Sequence, residues 1–157
     1  MDLFDAKLLK LVQHNNRLTA DQLAQAVGLS PSACQRRLRR LRETGAIVAD
    51  ISVLAPNVIG RRLTAIMRVS LDTARPDIVD RFKRSALQRP EVMQCYNTAG
   101  EADFVLVVTA RDMPEFEEIS HQFYTENPHI RKLTTNMVID RVKVGLAVPV
   151  DEEDRAA

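Results

Sequence analysis

The chain has 157 residues, of which 45% are apolar and 27% are charged, a size that suits one average domain or two small ones. Its longest apolar runs, such as residues 104–108, are far shorter than the about 20 residues of a membrane-spanning helix, and its acidic start is unlike a secretory signal. The net charge of +1 combines +3 in residues 1–60 with −2 in the remainder, and five arginines between Arg36 and Arg42 favour contact with nucleic acid through the N-terminal part.

Two helices are predicted in the first part of the chain. Asp2 or Asp5 can cap the start of the first helix, in which apolar residues recur at helical spacing. Thr19 and Gln22 then form a capping box, because the threonine hydroxyl can accept a hydrogen bond from a first-turn amide while the glutamine reaches back to the cap. Gly28 ends this second helix, since glycine tolerates the positive φ of a sharp helix end.

A third helix is predicted to begin at Ser30 and Pro31 and to end at Gly45. Serine is a favoured N-cap, and proline is favoured at the first helical position. Because the second and third helices are joined by a tight turn at Gly28, residues 1–45 are predicted to form a helix-turn-helix DNA-binding domain of three helices. At about 100° per residue, three apolar side chains of the third helix fall within about 60° of one another and face the core. They are Cys34, Leu38 and Leu41.

The outward face of the third helix carries groups that suit a major groove. Arginine can bind guanine O6 and N7 and glutamine can pair with adenine, each pair contributing ~1–3 kcal/mol of discrimination. Residues near the start of a recognition helix are expected to contact bases, and the later arginines and the cap of the second helix are expected to contact phosphates. An arginine-rich helix is also commonly a solvated surface, but the helix-turn-helix context favours DNA. The predicted DNA-contacting residues are Thr19, Ser30, Ser32, Gln35, Arg36, Arg39 and Arg40.

Two further arginines of this helix are left out of the predicted DNA surface. Arg37 and Arg42 lie nearer the apolar stripe, where long arginine stems commonly cover apolar surface or pair with an acid such as Glu43. We therefore do not expect these two side chains to contact DNA.

Residues 46–62 are predicted to link this domain to a second one. The helical spacing stops at Gly45, and residues 46–54 have the pattern of a short strand. The helix-turn-helix of the first part is expected to be of the winged type. Residues 55–60 include proline, asparagine and glycine, a composition that suits a hinge.

Residues 63–150 are predicted to form a ferredoxin-like domain, which makes the chain α+β. The elements predicted after the linker are a strand from Leu63 to Leu71, a helix from Ile78 to Gln88, strands over residues 92–98 and 102–110, a helix from Asp112 to Asn127 and a strand over residues 130–142. This order is βαββαβ, in which helices cover one face of a four-stranded antiparallel sheet. Residues 151–157 are predicted to form a disordered acidic tail.

The uncovered face of the predicted sheet favours self-association. An apolar sheet surface left in water is an association site, so we expect a homodimer at least. RNA-binding sheets of this order need exposed aromatic residues on which bases stack, and the chain has no tryptophan and two tyrosines. The composition therefore argues against RNA binding.

The remaining reactive side chains predict no catalytic chemistry. Cys34 and Cys95 occupy a helix stripe and a strand, where we expect small buried packing residues, and two cysteines outside any C-x-x-C pair form no disulfide framework, which suits a cytoplasmic protein. His14, His121 and His129 have no metal-ligand spacing. Because there is also no glycine-rich phosphate loop and no nucleophile elbow, we predict neither an enzyme nor a protein that uses a cofactor or metal.

Motifs along nearly the whole chain resemble the Lrp/AsnC family, the leucine-responsive and asparagine-synthetase regulators. Residues 23–32, 36–41 and 45–47 resemble the family's helix-turn-helix, residues 95–104 resemble its Gly-x-x-Asp loop, and residues 138–143 resemble its last strand. The resemblance implies a bacterial or archaeal transcriptional regulator of amino-acid-related metabolism. It also implies a C-terminal domain that forms dimers, which assemble into tetramers or octamers.

The resemblance further implies a small-molecule site, in which an amino acid binds between dimers. Asp103 would accept from the ligand's ammonium group, and the turn containing Gly100 would offer amides to its carboxylate. Ala102 stands where many relatives carry an aromatic residue, which implies a roomier pocket. The alternative is that Gly100 is an ordinary hairpin glycine and Asp103 caps the turn backbone. The implied effector-binding residues are Gly100, Glu101, Ala102, Asp103, Phe104, Thr134, Thr135 and Asn136.

The sequence thus predicts a homo-oligomeric regulator that binds double-stranded DNA sequence-specifically and responds to a small effector. A competing interpretation is an oligomeric small-molecule sensor or scaffold that makes no specific DNA contacts.

Overall fold

The computed structural model describes residues 1–151, so the predicted tail lies, apart from Asp151, outside the described residues. The helices of this part of the chain are α1 (Leu3–Val12), α2 (Ala20–Val27), α3 (Pro31–Glu43), α4 (Pro76–Leu87) and α5 (Met113–Glu126). The strands are β1 (Leu63–Leu71), β2 (Val92–Asn97), β3 (Phe104–Ala110) and β4 (Ile130–Met137). Among these helices, none is long and apolar enough to cross a membrane.

The predicted starts of the first three helices are confirmed. Asp2 is the N-cap of α1 and forms a capping box with Asp5, and Thr19 forms the predicted capping box of α2 with Gln22. Ser30 caps α3 by accepting a hydrogen bond from the Ala33 amide at 3.2 Å. Gly28 ends α2 with φ of +80°, a conformation that L side chains rarely adopt.

The three N-terminal helices enclose their own core. The core includes the predicted inner stripe of α3, and Cys34 is fully buried, as expected. Its buried members are Leu8, Leu23, Ala24, Val27, Cys34, Leu38 and Leu41. Chain contacts place these helices in one compact unit, Met1–Val53 together with the described residues from Lys143 onward, and place Leu54–Val142 in another. The sequence assigns residues 63–150 to the second domain, and these domain limits stay a prediction.

The predicted strand over residues 46–54 is wrong. These residues are irregular, and Val48 is 93% exposed. A strand needs a neighbouring backbone to complete its hydrogen bonds, and within the described residues no strand lies alongside this segment. The three-helix domain is therefore formed without a wing strand in this part of the chain.

The second unit is the predicted ferredoxin-like domain. Its strands form an antiparallel sheet in the order β2-β3-β1-β4, with β1 between β3 and β4. The strand prediction for residues 130–142 is too long, since β4 ends at Met137 and the Val138 amide makes a last bond to Thr64 O at 2.9 Å. Because β1 begins at Leu63, residues beyond 138 have run past the end of their partner strand.

Both helices of this unit pack on one face of the sheet. Alternate residues of β1, namely Ala65, Met67 and Val69, are fully buried beneath the helices. The ring of Phe82 on α4 packs 4.4 Å from that of Phe104 on β3 and 5.9 Å from that of Phe123 on α5, measured between centroids. Within the second unit, Leu54–Val142, no helix covers the opposite face of the sheet, which is called the uncovered face below.

Cys95 is exposed, so its predicted burial is wrong. It lies on β2, an edge strand of the sheet, and faces the helix side opposite Leu106. An edge position lacks a neighbouring strand on one side, which leaves the thiol open to water. Partial burial still raises the pKa of the Cys95 thiol above its ordinary value.

Candidate DNA-binding surface and effector cavity

The outward face of α3 presents exposed polar side chains. Ser32, Gln35, Arg36 and Arg39 are exposed on this helix. Within the described residues, no hydrogen bond or ion pair engages the side chains of Gln35, Arg36 or Arg39. The guanidinium and amide groups therefore have their donors free for an external acceptor, which is what recognition of base edges and phosphates requires.

The two predicted cap residues retain a donor. Thr19 Oγ1 accepts from the Gln22 amide at 3.2 Å, and Ser30 Oγ accepts from the Ala33 amide. A hydroxyl has one hydrogen and two lone pairs, so a hydroxyl that caps a helix can still donate its hydrogen to a phosphate oxygen. Ser30 Oγ also lies 3.2 Å from Ser32 Oγ, which couples the orientations of these two hydroxyls.

Arg40 differs from the other predicted contacts, because it is already paired. Its guanidinium bonds to the carboxylate of Asp5, whose side chain is only 1% exposed, while the Arg40 side chain is 54% exposed. Arg37 bonds to the same carboxylate at 2.9 Å and to Asp2 at 2.7 Å, and its guanidinium lies 5.5 Å from the centroid of the Phe4 ring. These contacts join the start of α1 to the middle of α3.

The acids that pair with Arg37 and Arg42 are not the one suggested by sequence. Arg37 pairs with Asp2 and Asp5, and Arg42 bonds through Nε to Asp50 at 2.8 Å. Each hydrogen-bonded acid raises the pKa of its arginine, and Arg42 lowers the pKa of Asp50. Both arginines pair with acids as expected, but the acids are Asp2, Asp5 and Asp50 and not Glu43.

Replacing Asp2 with asparagine is expected to make the free energy of unfolding of the helical domain less dependent on pH at acidic pH. The amide of Asp5 and then the guanidinium of Arg37 hold the pKa of Asp2 below its ordinary value of 3.8. A lowered folded-state pKa stabilises the fold above the ordinary value, and this contribution is lost as pH falls through the folded-state pKa. The asparagine side chain keeps the cap without the charge, so urea unfolding from about pH 2 to pH 6 should show a weaker pH dependence below about pH 4. An unchanged slope would contradict this.

The loop between β2 and β3, which contains the predicted effector residues 100–103, is held by hydrogen bonds to β1. Asp103 Oδ2 accepts from the Leu71 amide at 2.7 Å, and the Asp103 amide donates to Val69 O at 2.9 Å. Ser70 Oγ donates to Glu101 O at 3.1 Å. The Asp103 carboxylate thus accepts from a backbone amide of β1 and not from one in its own turn, and the loop is held in place by its own chain.

A cavity lies beside this loop at the end of the uncovered sheet face. Its volume is about 510 Å³, within the range of small-molecule sites. It is lined by Arg68, Ser70, Glu101, Ala102, Arg131, Lys132 and Thr134. Three of the predicted effector residues, Glu101, Ala102 and Thr134, therefore meet at one cavity.

The other predicted effector residues lie outside this lining. Phe104 is fully buried in the core, and Thr135 pairs with buried Met67, which places it on the helix-covered face. Asn136 is exposed opposite Ile66 on the uncovered face. Gly100 has no positive φ, and a Cβ there would meet no atom within 4 Å, so the geometry of this chain does not itself require glycine.

Sequence reasoning missed the basic side chains of the cavity. Arg68 and Ser70 pair with Thr134 and Lys132 across the β1–β4 ladder, and Arg131 adjoins Lys132. Alternation along a strand indicates which of its residues share a face, but the neighbours of those residues on the next strand depend on the register. As for metals, no group of three or more His, Cys, Asp or Glu side chains among residues 1–151 could hold an ion.

Comparison with known proteins gives a consistent result. The model of the Lrp/AsnC ligand binding domain matches residues 64–148, and that of a winged helix-turn-helix DNA-binding domain matches residues 1–48. The uncharacterized HTH-type transcriptional regulator y4tD of Sinorhizobium fredii is 52% identical over 151 residues, covering 96% of this chain and 89% of that protein.

Two solved structures share the whole architecture. A transcriptional regulator from Neisseria meningitidis, crystallised as a complex with L-Met, superposes with a TM-score of 0.89 at 30% identity and covers 96% of this chain and 97% of its own. An AsnC family transcriptional regulator from Agrobacterium tumefaciens superposes with a TM-score of 0.91 at 25% identity, covering 98% and 99%.

A helix-turn-helix domain followed by a ligand-binding domain on a ferredoxin-like sheet defines a class of transcriptional regulators, not of enzymes. This chain belongs to the Lrp/AsnC family.

Proposed function

We propose that the protein binds double-stranded DNA sequence-specifically through α3 and regulates genes of amino-acid-related metabolism. The observation that carries this proposal is the exposed face of α3, where Gln35, Arg36 and Arg39 have no partner among the described residues. Residues 1–45 act as the DNA-binding domain, and Ser32, Gln35 and Arg36 contact bases while Arg39, Thr19 and Ser30 contact phosphates. A protein that binds the chromosome acts in the cytoplasm, associated with the nucleoid.

The role of Arg40 is secondary in this proposal. Its guanidinium is bonded to Asp5, which uses one side of a group with five N–H donors. Because the side chain is half exposed, its remaining donors can reach a phosphate oxygen. Asp5 then positions Arg40 as well as stabilising the domain.

The protein acts as a homodimer that assembles further, to tetramers or octamers. The uncovered face of the sheet carries Ile66, Tyr96, Val105 and Val107 among polar residues. Ile66 is 37% and Tyr96 is 53% exposed, so pairing two such faces would remove apolar surface from water. A dimer also supplies two α3 helices for the two halves of an operator.

An amino acid bound at the cavity of the second domain modulates the regulator. The Neisseria meningitidis relative was crystallised with L-Met, and the cavity of this chain adjoins the loop that corresponds to the family motif. The site comprises Glu101, Ala102 and Thr134, with Gly100, Asp103, Phe104, Thr135 and Asn136 shaping it from outside the lining. Such a ligand regulates DNA binding only if it prefers one assembly over another.

The test is salt-dependent binding of the purified protein to the DNA upstream of its own gene and to an unrelated duplex of equal length. Each amino acid is added in turn at millimolar concentration, and light scattering follows the mass of the assembly. We expect preferential binding to the upstream DNA, with a salt slope that reports phosphate contacts, and a change in affinity or mass with one class of amino acid.

The competing function is a small-molecule sensor or scaffold without specific DNA contacts. Two results together would support this function. The protein would bind every duplex equally and weakly in a genome-wide site search, and its assembly would depend on an amino acid. That pair of results would contradict the DNA-binding proposal while leaving the ligand-binding domain in place.

A further inference from the structure

We propose that the cavity beside the β2–β3 loop selects an amino acid whose side chain carries a second carboxylate, such as L-glutamate or L-aspartate. This inference rests on the proposed effector site and names the chemical class of its ligand.

The charge of the cavity lining carries the inference. Arg68, Arg131 and Lys132 provide three cations, and Glu101 provides the one carboxylate. Ser70 pairs with Lys132 and Arg68 pairs with Thr134 in the β1–β4 ladder, so the side chains of Arg68 and Lys132 point to the same face. Arg131 lies at the register shift next to Lys132 and also lines the cavity. A zwitterion with a neutral side chain would offer these three cations only one carboxylate.

The three cations have no internal counter-charge among the described residues. No carboxylate of residues 1–151 lies within ion-pair distance of Arg68, Arg131 or Lys132. Several other arginines of the same unit are paired, namely Arg61 and Arg111 with Glu115, Arg75 with Asp77 and Arg89 with Glu126. At the cavity, three cations without such partners lie together, and an anionic ligand would neutralise their charge.

Glu101 is the residue that would bind the ammonium group of the ligand. An ammonium group needs an acceptor, and Asp103, the acceptor suggested by sequence, already bonds to the Leu71 amide through Oδ2. Glu101 is exposed at the cavity, its backbone is held by Ser70, and its carboxylate has no partner in the described chain. It can accept from the ammonium while the three cations bind the two carboxylates of the ligand.

The first experiment is isothermal titration of the full-length protein with L-glutamate, L-aspartate, L-glutamine, L-asparagine, glutarate and inorganic phosphate. We expect one of the acidic amino acids to bind at least about tenfold more tightly than its amide, because the amide lacks the second carboxylate. Glutarate should bind more weakly than L-glutamate, since it offers Glu101 no ammonium. Equal binding of acid and amide, or tighter binding of phosphate or glutarate, would overturn the proposal.

Variants locate the site. Lys132→Gln and Arg131→Gln are each expected to weaken binding of the acidic amino acid by about tenfold and to leave the weak binding of its amide nearly unchanged. Arg84→Gln is the matched control, because Arg84 is an exposed arginine on α4, away from the cavity lining. Light scattering of each variant checks that assembly is preserved. If Arg84→Gln weakened binding as much as the two cavity variants, the cavity assignment would be wrong.

Failure of this inference is distinguishable from failure of the proposed function. DNA affinity is measured separately without any amino acid. Specific DNA binding modulated by a neutral amino acid, with no binding of acidic ones, overturns the ligand class and leaves the regulator standing. Calorimetric binding of the acidic amino acid without specific DNA binding supports the ligand class and contradicts the proposed function.

Discussion

Replacing Arg36 and Arg39 together with alanine is expected to lower affinity for the upstream DNA by about a hundredfold and to remove most of the preference over unrelated DNA. A well-placed arginine–guanine contact contributes ~1–3 kcal/mol of discrimination, and each tenfold in affinity corresponds to about 1.4 kcal/mol. Both side chains are exposed and unpaired within the described residues, so their loss leaves no buried group without a partner. The fold should therefore be unaffected.

The two single variants separate base contacts from phosphate contacts. Arg36→Ala should mainly reduce the preference for the upstream DNA, whereas Arg39→Ala should weaken binding to both duplexes and reduce the salt slope by about one. Fluorescence anisotropy at several salt concentrations measures both quantities, with Arg84→Ala in the second domain as the control. A double variant that keeps the affinity, preference and salt slope of the native protein would show that α3 is not the recognition helix.

The second large effect is expected from Asp5→Ala, which should lower the free energy of unfolding of the three-helix domain by about 2–3 kcal/mol. The substitution removes the acceptor of two arginine bonds and of the Asp2 amide in the α1 capping box. A hydrogen bond to a charged group contributes about 1.5–3 kcal/mol, but Arg40 is half exposed and regains water, so the total is well below the sum of the bonds.

Native-state hydrogen exchange of the α1 and α3 amides measures this change within one domain. The control is Glu43→Ala, which removes an exposed acid from the last turn of the same α3 helix and should change the free energy by less than about 0.5 kcal/mol. If the amides of the Asp5→Ala variant exchanged as slowly as those of the Glu43→Ala control, the ion pairs of Asp5 with the two arginines would not be needed for stability. The interpretation of Asp5 as a structural residue would then be wrong.

Features set by neighbouring residues could be predicted from the sequence. The capping boxes at Asp2 and Thr19 join residues three apart, and the positive φ of Gly28 follows from its place at a helix end. The buried faces of α3 and β1 follow from periodicities of about 3.6 and 2 residues. These local rules were sufficient for the order of elements in the second unit and for the exposed face on which the DNA proposal depends.

Features set by distant residues could not be predicted. The sequence placed Cys95 in a strand but did not show that this strand is at the edge of the sheet, and it could not identify Asp5 as the partner of two arginines more than thirty positions away. The basic cavity depends on the register that sets Lys132 beside Ser70. A pattern along one strand specifies which face a residue occupies, but not its neighbour on the next strand.

The bonds that hold the β2–β3 loop to β1 limit how ligand binding at the cavity can change the rest of the protein. Asp103 and Ser70 hold the loop in place before any ligand binds. Ligand binding therefore does not have to offset the loss of conformational entropy that ordering a loop would cost. Association at such a preformed site should be fast and should show a small heat-capacity change. A disorder-to-order switch of the loop is therefore a poor route for regulation, and the ligand has to act by favouring one rigid arrangement of subunits over another.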